Sequence, residues 1–298
     1  MIFNMTSPVL KSKDKVPVLG EDFTYTGSCE VIDDSTEVSG VQWRIKFYTS
    51  GTLVTNRDWV VDLFLVGGGG NGSSTAQDYN TGGGGGGGYT GTFRDITIAA
   101  GTSYPIVVGG SGGASSALGQ SVNGGSGGGN QGKGNAGGSG GGGAGSYLGS
   151  TAALKLGAAG GSDGSNGGKS QYDGGAGQGS TTREFGEESA TLYSGGGGGG
   201  SHSGVTGAHG AGGAGGGGNG NNAGARQNGY PGTTNTGGGG GGCSYGGTPG
   251  AGGSGIAIVR KARTTAALKV NAPTGSTVTA ELNGKVTQLY ESGGGIHL

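Results

Sequence analysis

The sequence predicts a mainly β and irregular fold. β-Strand segments flank a packed array of polyproline-II-like glycine helices (polyglycine II), a small β appendage closes the chain, and almost no α-helix is expected. Two observations carry this. Glycine supplies 85 of 298 residues, nearly all between Gly67 and Gly255, in runs such as 82–88, 195–200 and 237–242. Around those runs stand short stretches rich in β-branched and aromatic residues, the composition of strands.

Taken in order, residues 1–21 carry Lys11, Lys13 and Lys15 among Pro8 and Pro17 and show no period, which suggests an arm or attachment segment. Residues 22–263 are expected to form one β plus glycine-rich domain. Its leading strands are 23–26, 29–32 and 41–48. In the last, Val41, Trp43, Ile45 and Phe47 share one face and Gln42, Arg44 and Lys46 the other. A turn at 49–52 precedes a returning strand at 53–55, and 59–66 is a nearly continuous apolar strand that runs straight into glycine. Further strands are expected at 89–93, at 95–98 and 104–108 as a hairpin, and at 255–260. Residues 264–298 form the appendage, with strands at 268–270, 277–282 and 285–289 and a type I′ turn at Asn283-Gly284.

Glycine has no side chain for a core and loses more backbone freedom on folding than any other residue. Collagen is excluded, because there is no Gly-X-Y register and only six prolines are present. A flexible linker fits the composition but not the interleaved strands. A polyproline-II-like helix has three residues per turn, a rise of about 3.1 Å and no internal hydrogen bonds. Its backbone groups therefore pair with neighbouring helices wherever no Cβ holds them apart. Pure runs such as 82–88 suit buried helices, and Ser- and Asn-bearing ones such as 124–129 suit the surface. A packed array is the expectation; a largely disordered or mixed segment is the open alternative. In an array, a branched residue at 195–200 or 237–242 should be far more damaging than one at Ser115 or Ser116.

Hydrophobic residues make up 30% of the chain, too few for a conventional core throughout. A net charge of −1 and the lack of Arg-Gly-Gly repeats argue against a nucleic-acid partner. Residues 1–5 lead into no apolar stretch of a signal peptide, and the longest apolar run, 60–66, is short and carries Asp62, so no membrane insertion is expected. The chain is expected to be soluble and made in a cytosol, with Cys29 and Cys243 as reduced thiols; a disulfide between them is the alternative.

The stretches 43–52, 60–70, 88–93 and 99–110, and above all 250–260, resemble the glycine-rich domain common in bacteriophage tail proteins, over roughly residues 41–260. By glycine pattern alone the chain is also similar to the polyglycine-sandwich adhesins at the fibre tips of T-even-type phages. The resemblance implies a virion tail location, with assembly in the host cytoplasm; it names no receptor.

No catalytic apparatus is found, and no cofactor or metal is expected. Gly168-Lys169-Ser170 ends like a phosphate loop, but Asp163 stands where its first glycine belongs. His202 and His209 with Cys243 match no common metal spacing. Asp33, Asp34 and Glu37, and Glu184, Glu187 and Glu188, suit solvated turns, with Ca²⁺ as the alternative. What remains is loops of distinct composition on a stiff frame, at 73–79, 146–156, 171–173, 181–194, 201–209 and 221–230. Their receptor-binding candidates are Tyr79, Tyr147, Tyr172, Arg183, Phe185, Tyr193, His202, His209, Arg226 and Tyr230. Aromatics and arginine dominate binding energy at interfaces, and loops on rigid frames carry recognition. Tyr193, His202 and Tyr230 lead, because each adjoins a long glycine run and should project from a lattice end. The alternative is that these loops only cap the glycine helices.

The sequence thus points to a phage tail-fibre or tail-tip protein, an adhesin for a bacterial surface polysaccharide or outer protein. The terminal β regions would contact other virion tail proteins. The alternative is a structural virion component: spacer, connector or decoration.

Overall fold

The structure, a computed structural model, describes residues 15–34, 43–75, 81–129, 133–145, 158–169, 174–179, 181–202, 209–221 and 226–262, and the backbone of 278–282 and 285–289. The chain divides into two units, 1–263 and 264–298. Within the described residues of the second, β11 (Val278–Leu282) pairs antiparallel with β12 (Lys285–Leu289).

The first unit contains two five-stranded antiparallel sheets. One has the order β1 (Phe23–Tyr25), β4 (Gly51–Thr55), β7 (Ser103–Val107), β8 (Ser115–Ala117), β9 (Gln120–Val122). The other runs β2 (Cys29–Asp33), β3 (Trp43–Phe47), β10 (Ile256–Lys261), β5 (Trp59–Val66), β6 (Thr90–Ile98). The two-residue alternation of β3 is obeyed: Trp43, Ile45 and Phe47 are buried, and Arg44 and Lys46 are half-buried on the other face. With Val61, Leu63, Leu65, Ala257 and Val259 they pack against Phe23, Leu53, Ile106 and Ala117 of the first sheet, in one apolar core. The β5 strand reads as nearly continuous apolar sequence because from Val61 onward both its faces are buried. Phe64 and Val66 turn away from that core into a second one with Ile256, Ile258, Phe185 and Tyr193.

The glycine runs leave this sandwich where β5 and β9 end and β6 and β10 begin. They form neither helix nor sheet; among the described residues the only helical element is a 3₁₀ turn, Glu184–Gly186. Their backbone groups pair between segments, and the pairing recurs at every third residue. Gly82, Gly85 and Gly88 donate to Cys243, Gly240 and Gly237 at 2.8–2.9 Å. Gly84 and Gly87 donate to Gly142 and Ser139, and Gly86 and Tyr89 to Ser126 and Asn123. The carbonyls of the same run accept from 67–73, from 197–200 and from 135–138. One run is thus surrounded by six others, and no side chain fits between them. A Cβ built on Gly84 would lie 2.0 Å from the Gly197 carbonyl oxygen, and one on Gly197 would lie 2.0 Å from that of Gly240.

The sheet register continues into this array. The antiparallel step that pairs Val66 with Thr90 also joins Gly67 to Tyr89, Gly70 to Gly86 and Ser73 to Gly83, without a slip. On the other side of β5, the pairing of Val66 with Ile256 is continued by Gly69 to Gly253 and Gly72 to Gly250. The bonding interval changes there from two residues to three while the register is kept.

Several expectations are corrected. The segments 95–98 and 104–108 do not form a hairpin: β6 pairs with β5, β7 pairs with β4 and β8, and the turn between them crosses from one sheet to the other. Likewise β4 does not return on β3 but lies between β1 and β7 in the first sheet. The stretches 89–93 and 95–98 are one strand with a bulge, where Arg94 and Asp95 (φ 54°) stand opposite Asp62. The β8–β9 hairpin was not expected, since its two-residue turn, with φ positive at both positions, has Leu118 where Asn or Gly is usual. Both cysteines are free, Cys29 on an edge strand and Cys243 at the far end of the glycine array. Lys11, Lys13, Val41, the 268–270 strand and the Asn283-Gly284 turn lie outside the described residues.

Candidate functional site

Two places gather side chains with binding chemistry. The first is a strap of residues 181–193 lying on the outer face of the β10-containing sheet. Its two limbs are tied by the bridge between Arg183 and Leu192 and by Tyr193 N–H donating to Thr182 at 2.9 Å. Its tip reverses through Phe185 (φ 56°) and Gly186 (φ 73°).

Under the strap lies a chain of charges. Arg44 donates to both Asp34 oxygens at 2.6 and 2.9 Å and to Glu184 Oε1 at 2.6 Å. Glu184 also receives the Tyr193 hydroxyl at 3.1 Å and has Lys46 Nζ at 3.7 Å. The β6 bulge brings Arg94 onto Asp62 at 2.7 Å, and Asp62 is shared with Arg260 at 3.1 Å. Arg260 reaches Glu187 at 2.6 Å and lies 4.0 Å over the Phe185 ring. Glu184, Asp62 and Arg260 are almost wholly buried. Removing one partner of such a pair leaves a buried charge uncompensated, at about 3–5 kcal/mol, so this network holds the strap down. Burial, followed by the Glu184 charge, pushes the Tyr193 hydroxyl well above the usual tyrosine range. The chemistry available here is structural.

This corrects three readings. Glu184 and Glu187 are ion-paired strap residues, not parts of a solvated acidic turn, and Asp34 is buried against Arg44. Phe185 is 3% and Tyr193 4% exposed, facing Phe64 with ring centroids 5.8 and 5.5 Å away, so neither projects from a lattice end. The apolar strand beneath needs a cover, and these rings supply it. Arg183 is half-buried beside Asp163 at 3.3 Å. Reasoning from sequence missed Asp62, Arg94 and Arg260; the available signal was a charge inside each of two otherwise apolar strands, since a buried charge requires a partner.

The second place is the end of the glycine array, seven residues beyond the end of β5 at Ser73. Cys243 N–H donates to the Ser73 carbonyl at 3.1 Å, and Thr81 bridges to Ser244. The Thr81 hydroxyl lies 2.6 Å from the Gly145 carbonyl and 2.7 Å from that of Gly200. Gly145 N–H donates to Gly200 at 2.9 Å, and Ser201 and Asn221 exchange two hydrogen bonds at 3.0 and 3.1 Å. The chain therefore enters or leaves 76–80, 146–157, 203–208 and 222–225 from one hydrogen-bonded layer. Tyr79 and Tyr147 belong to those segments and, with Tyr172, lie outside the described residues.

Arg226 is exposed, its N–H donates to the Tyr245 carbonyl at 3.1 Å, and Tyr245 is 37% exposed. Tyr230 is 49% exposed on the flank of the same segment. His202 is 7% exposed, and burial lowers its pKa. This is a correction: the layer buries it rather than displaying it. His209 is half-buried. Tyr245 was missed because it lies outside the six loops marked by composition, although it too follows a glycine run. Among the described residues no group of three His, Cys, Asp or Glu side chains could hold a metal ion, and no helix is long and apolar enough to cross a membrane.

A family model described as a glycine-rich domain matches residues 48–262. No curated protein matches the chain.

Proposed function

Because this chain belongs to the glycine-rich domain family, we propose that it is a phage tail-fibre or tail-tip protein whose array end binds a bacterial surface polysaccharide or outer protein. We read the array itself as packed polyglycine II helices, on the three-residue recurrence of its hydrogen bonds. The observation that carries the adhesin reading is the gathering of loop ends in one layer, about 22 Å beyond β5 at about 3.1 Å per residue. A stiff lattice that collects several non-glycine loops at one end has the build of a recognition surface. Exposed Arg226 and Tyr245 are already there, and tyrosine and arginine are the side chains that anchor interfaces best. The β regions at the two ends of the chain would serve attachment to other virion tail proteins. Neither nucleic acid nor catalysis enters this reading.

Labelled protein would be tested on a panel of bacterial cells, intact and stripped of surface polysaccharide. Saturable binding that falls about tenfold or more in Arg226→Ala and Tyr245→Ala supports the proposal, an anchor being worth about 1–2 kcal/mol or more. Binding equal to the parent in both variants would sink it. One observation favours the alternative of a structural virion component. None of β1, β4, β7, β8 and β9 carries a charged residue, and Val107 is 44% exposed on that sheet, a surface suited to assembly contacts.

A further inference from the structure

We propose that Asn123 is a spontaneous modification site, which converts through a cyclic imide to isoaspartate and aspartate at the seam between sandwich and lattice. An asparagine followed by glycine is the dipeptide most open to this reaction, because no side chain shields the attacking nitrogen. The described residues contain the pairs Asn71–Gly72, Asn123–Gly124, Asn166–Gly167, Asn219–Gly220 and Asn228–Gly229.

In four of them the lattice holds both reacting groups. The glycine N–H groups of Gly72, Gly167, Gly220 and Gly229 donate to Gly250, Gly175, Gly210 and Thr248 at 2.8–3.0 Å. The side-chain oxygens of Asn71, Asn166, Asn219 and Asn228 accept from the N–H of Gly252, Gly177, Gly212 and Thr248 at 2.8–2.9 Å. Closing the imide ring there would first require breaking two lattice bonds. Asn123 differs on both counts. It is exposed, and among the described residues neither its side chain nor the Gly124 N–H makes a hydrogen bond.

The step needs only water and base. The Gly124 nitrogen gives its proton to hydroxide and bonds to the Asn123 side-chain carbonyl carbon; the carbon–nitrogen bond of the amide then breaks as its nitrogen takes a proton from water, so that ammonia leaves and hydroxide is regenerated. Water then opens the ring. Addition at the side-chain carbonyl gives aspartate, and addition at the main-chain carbonyl gives isoaspartate, with one extra methylene in the backbone. The affected carbonyl is part of the seam. The Asn123 oxygen accepts Tyr89 N–H at 2.9 Å, and a Cβ on Gly67 would lie only 2.1 Å from it. In isoaspartate that oxygen belongs to a free carboxylate, and the Tyr89 bond is lost.

The full-length protein would be aged in mildly alkaline buffer, native and in denaturant, and its peptides mapped by mass spectrometry for amide-to-acid conversion and isoaspartate. In the native protein Asn123 should convert roughly tenfold or more faster than the four lattice asparagines, whose reaction waits on local opening, and in denaturant the five rates should converge. Equal native rates would overturn the proposal. Hydrogen exchange at the Tyr89 amide should speed up in aged parent and stay slow in aged Asn123→Ser. An amide that stays protected in fully converted parent would overturn the effect on the seam.

Discussion

Tyr193 and Tyr230 both adjoin long glycine runs, and their side chains meet opposite fates. Tyr193 covers Phe64 and donates to Glu184, while Tyr230 stands half in solvent. Tyr193→Ala should cost about 3–5 kcal/mol in urea unfolding, the usual range for deleting a buried aromatic ring. Tyr230→Ala should stay within about 0.5 kcal/mol of the parent. The sequence could not separate the two, because a residue's exposure beside a glycine run depends on which neighbour the next segment meets. Titration offers a second check at this scale. Burial raises the hydroxyls of Tyr25 and Tyr48 from an ordinary value of 10 to about 12. Between those values the unfolded chain has lost protons that the folded chain keeps, so stability is intact below pH 10 and falls as pH rises toward 12. A tyrosinate absorbance titration run beside alkaline unfolding should place both transitions in that window.

At the scale of elements, glycine identity matters by position. A Cβ on Gly197 would be 2.0 Å from the Gly240 carbonyl oxygen, whereas one on Gly110 meets nothing within 4 Å. Gly197→Ala should therefore break lattice bonds at about 1–3 kcal/mol for each unsatisfied group. Gly110→Ala should be neutral or stabilise by up to about 1 kcal/mol through the unfolded chain. Thermal melts of the pair decide it, and equal melting temperatures would contradict a close-packed array. Ser115 is no neutral control as expected: its hydroxyl donates to Val66 and receives Gly109 N–H in the core. The strands were legible wherever alternation or apolar runs marked them, as in β3, β5 and β10. Their partners were not, because β3–β4 and β6–β7 each span two sheets and the turns between them look like hairpin turns. The strap was illegible for a related reason. Its charges are polar in sequence, and only the fold shows that Arg44, Asp62, Arg94 and Arg260 wait beneath them.

Across the whole first unit, the three-residue recurrence acts as a reading frame. Each position in a run such as 82–88 addresses one particular neighbour, and that address repeats only after three residues. Adding a single glycine after Gly85 would shift every donor on its loop side by one position, toward the wrong segment. Three added glycines would restore the addresses and merely lengthen the run toward its loop. Insertion variants should therefore melt in the order three above one or two, with the gap set by unsatisfied groups at about 1–3 kcal/mol each. A smooth decline with inserted length would refute it. Where the frame holds, runs of this kind can grow or shrink only in triplets, so length differences between related lattices should fall into steps of three residues, much as viable insertions within a gene fall into steps of three bases.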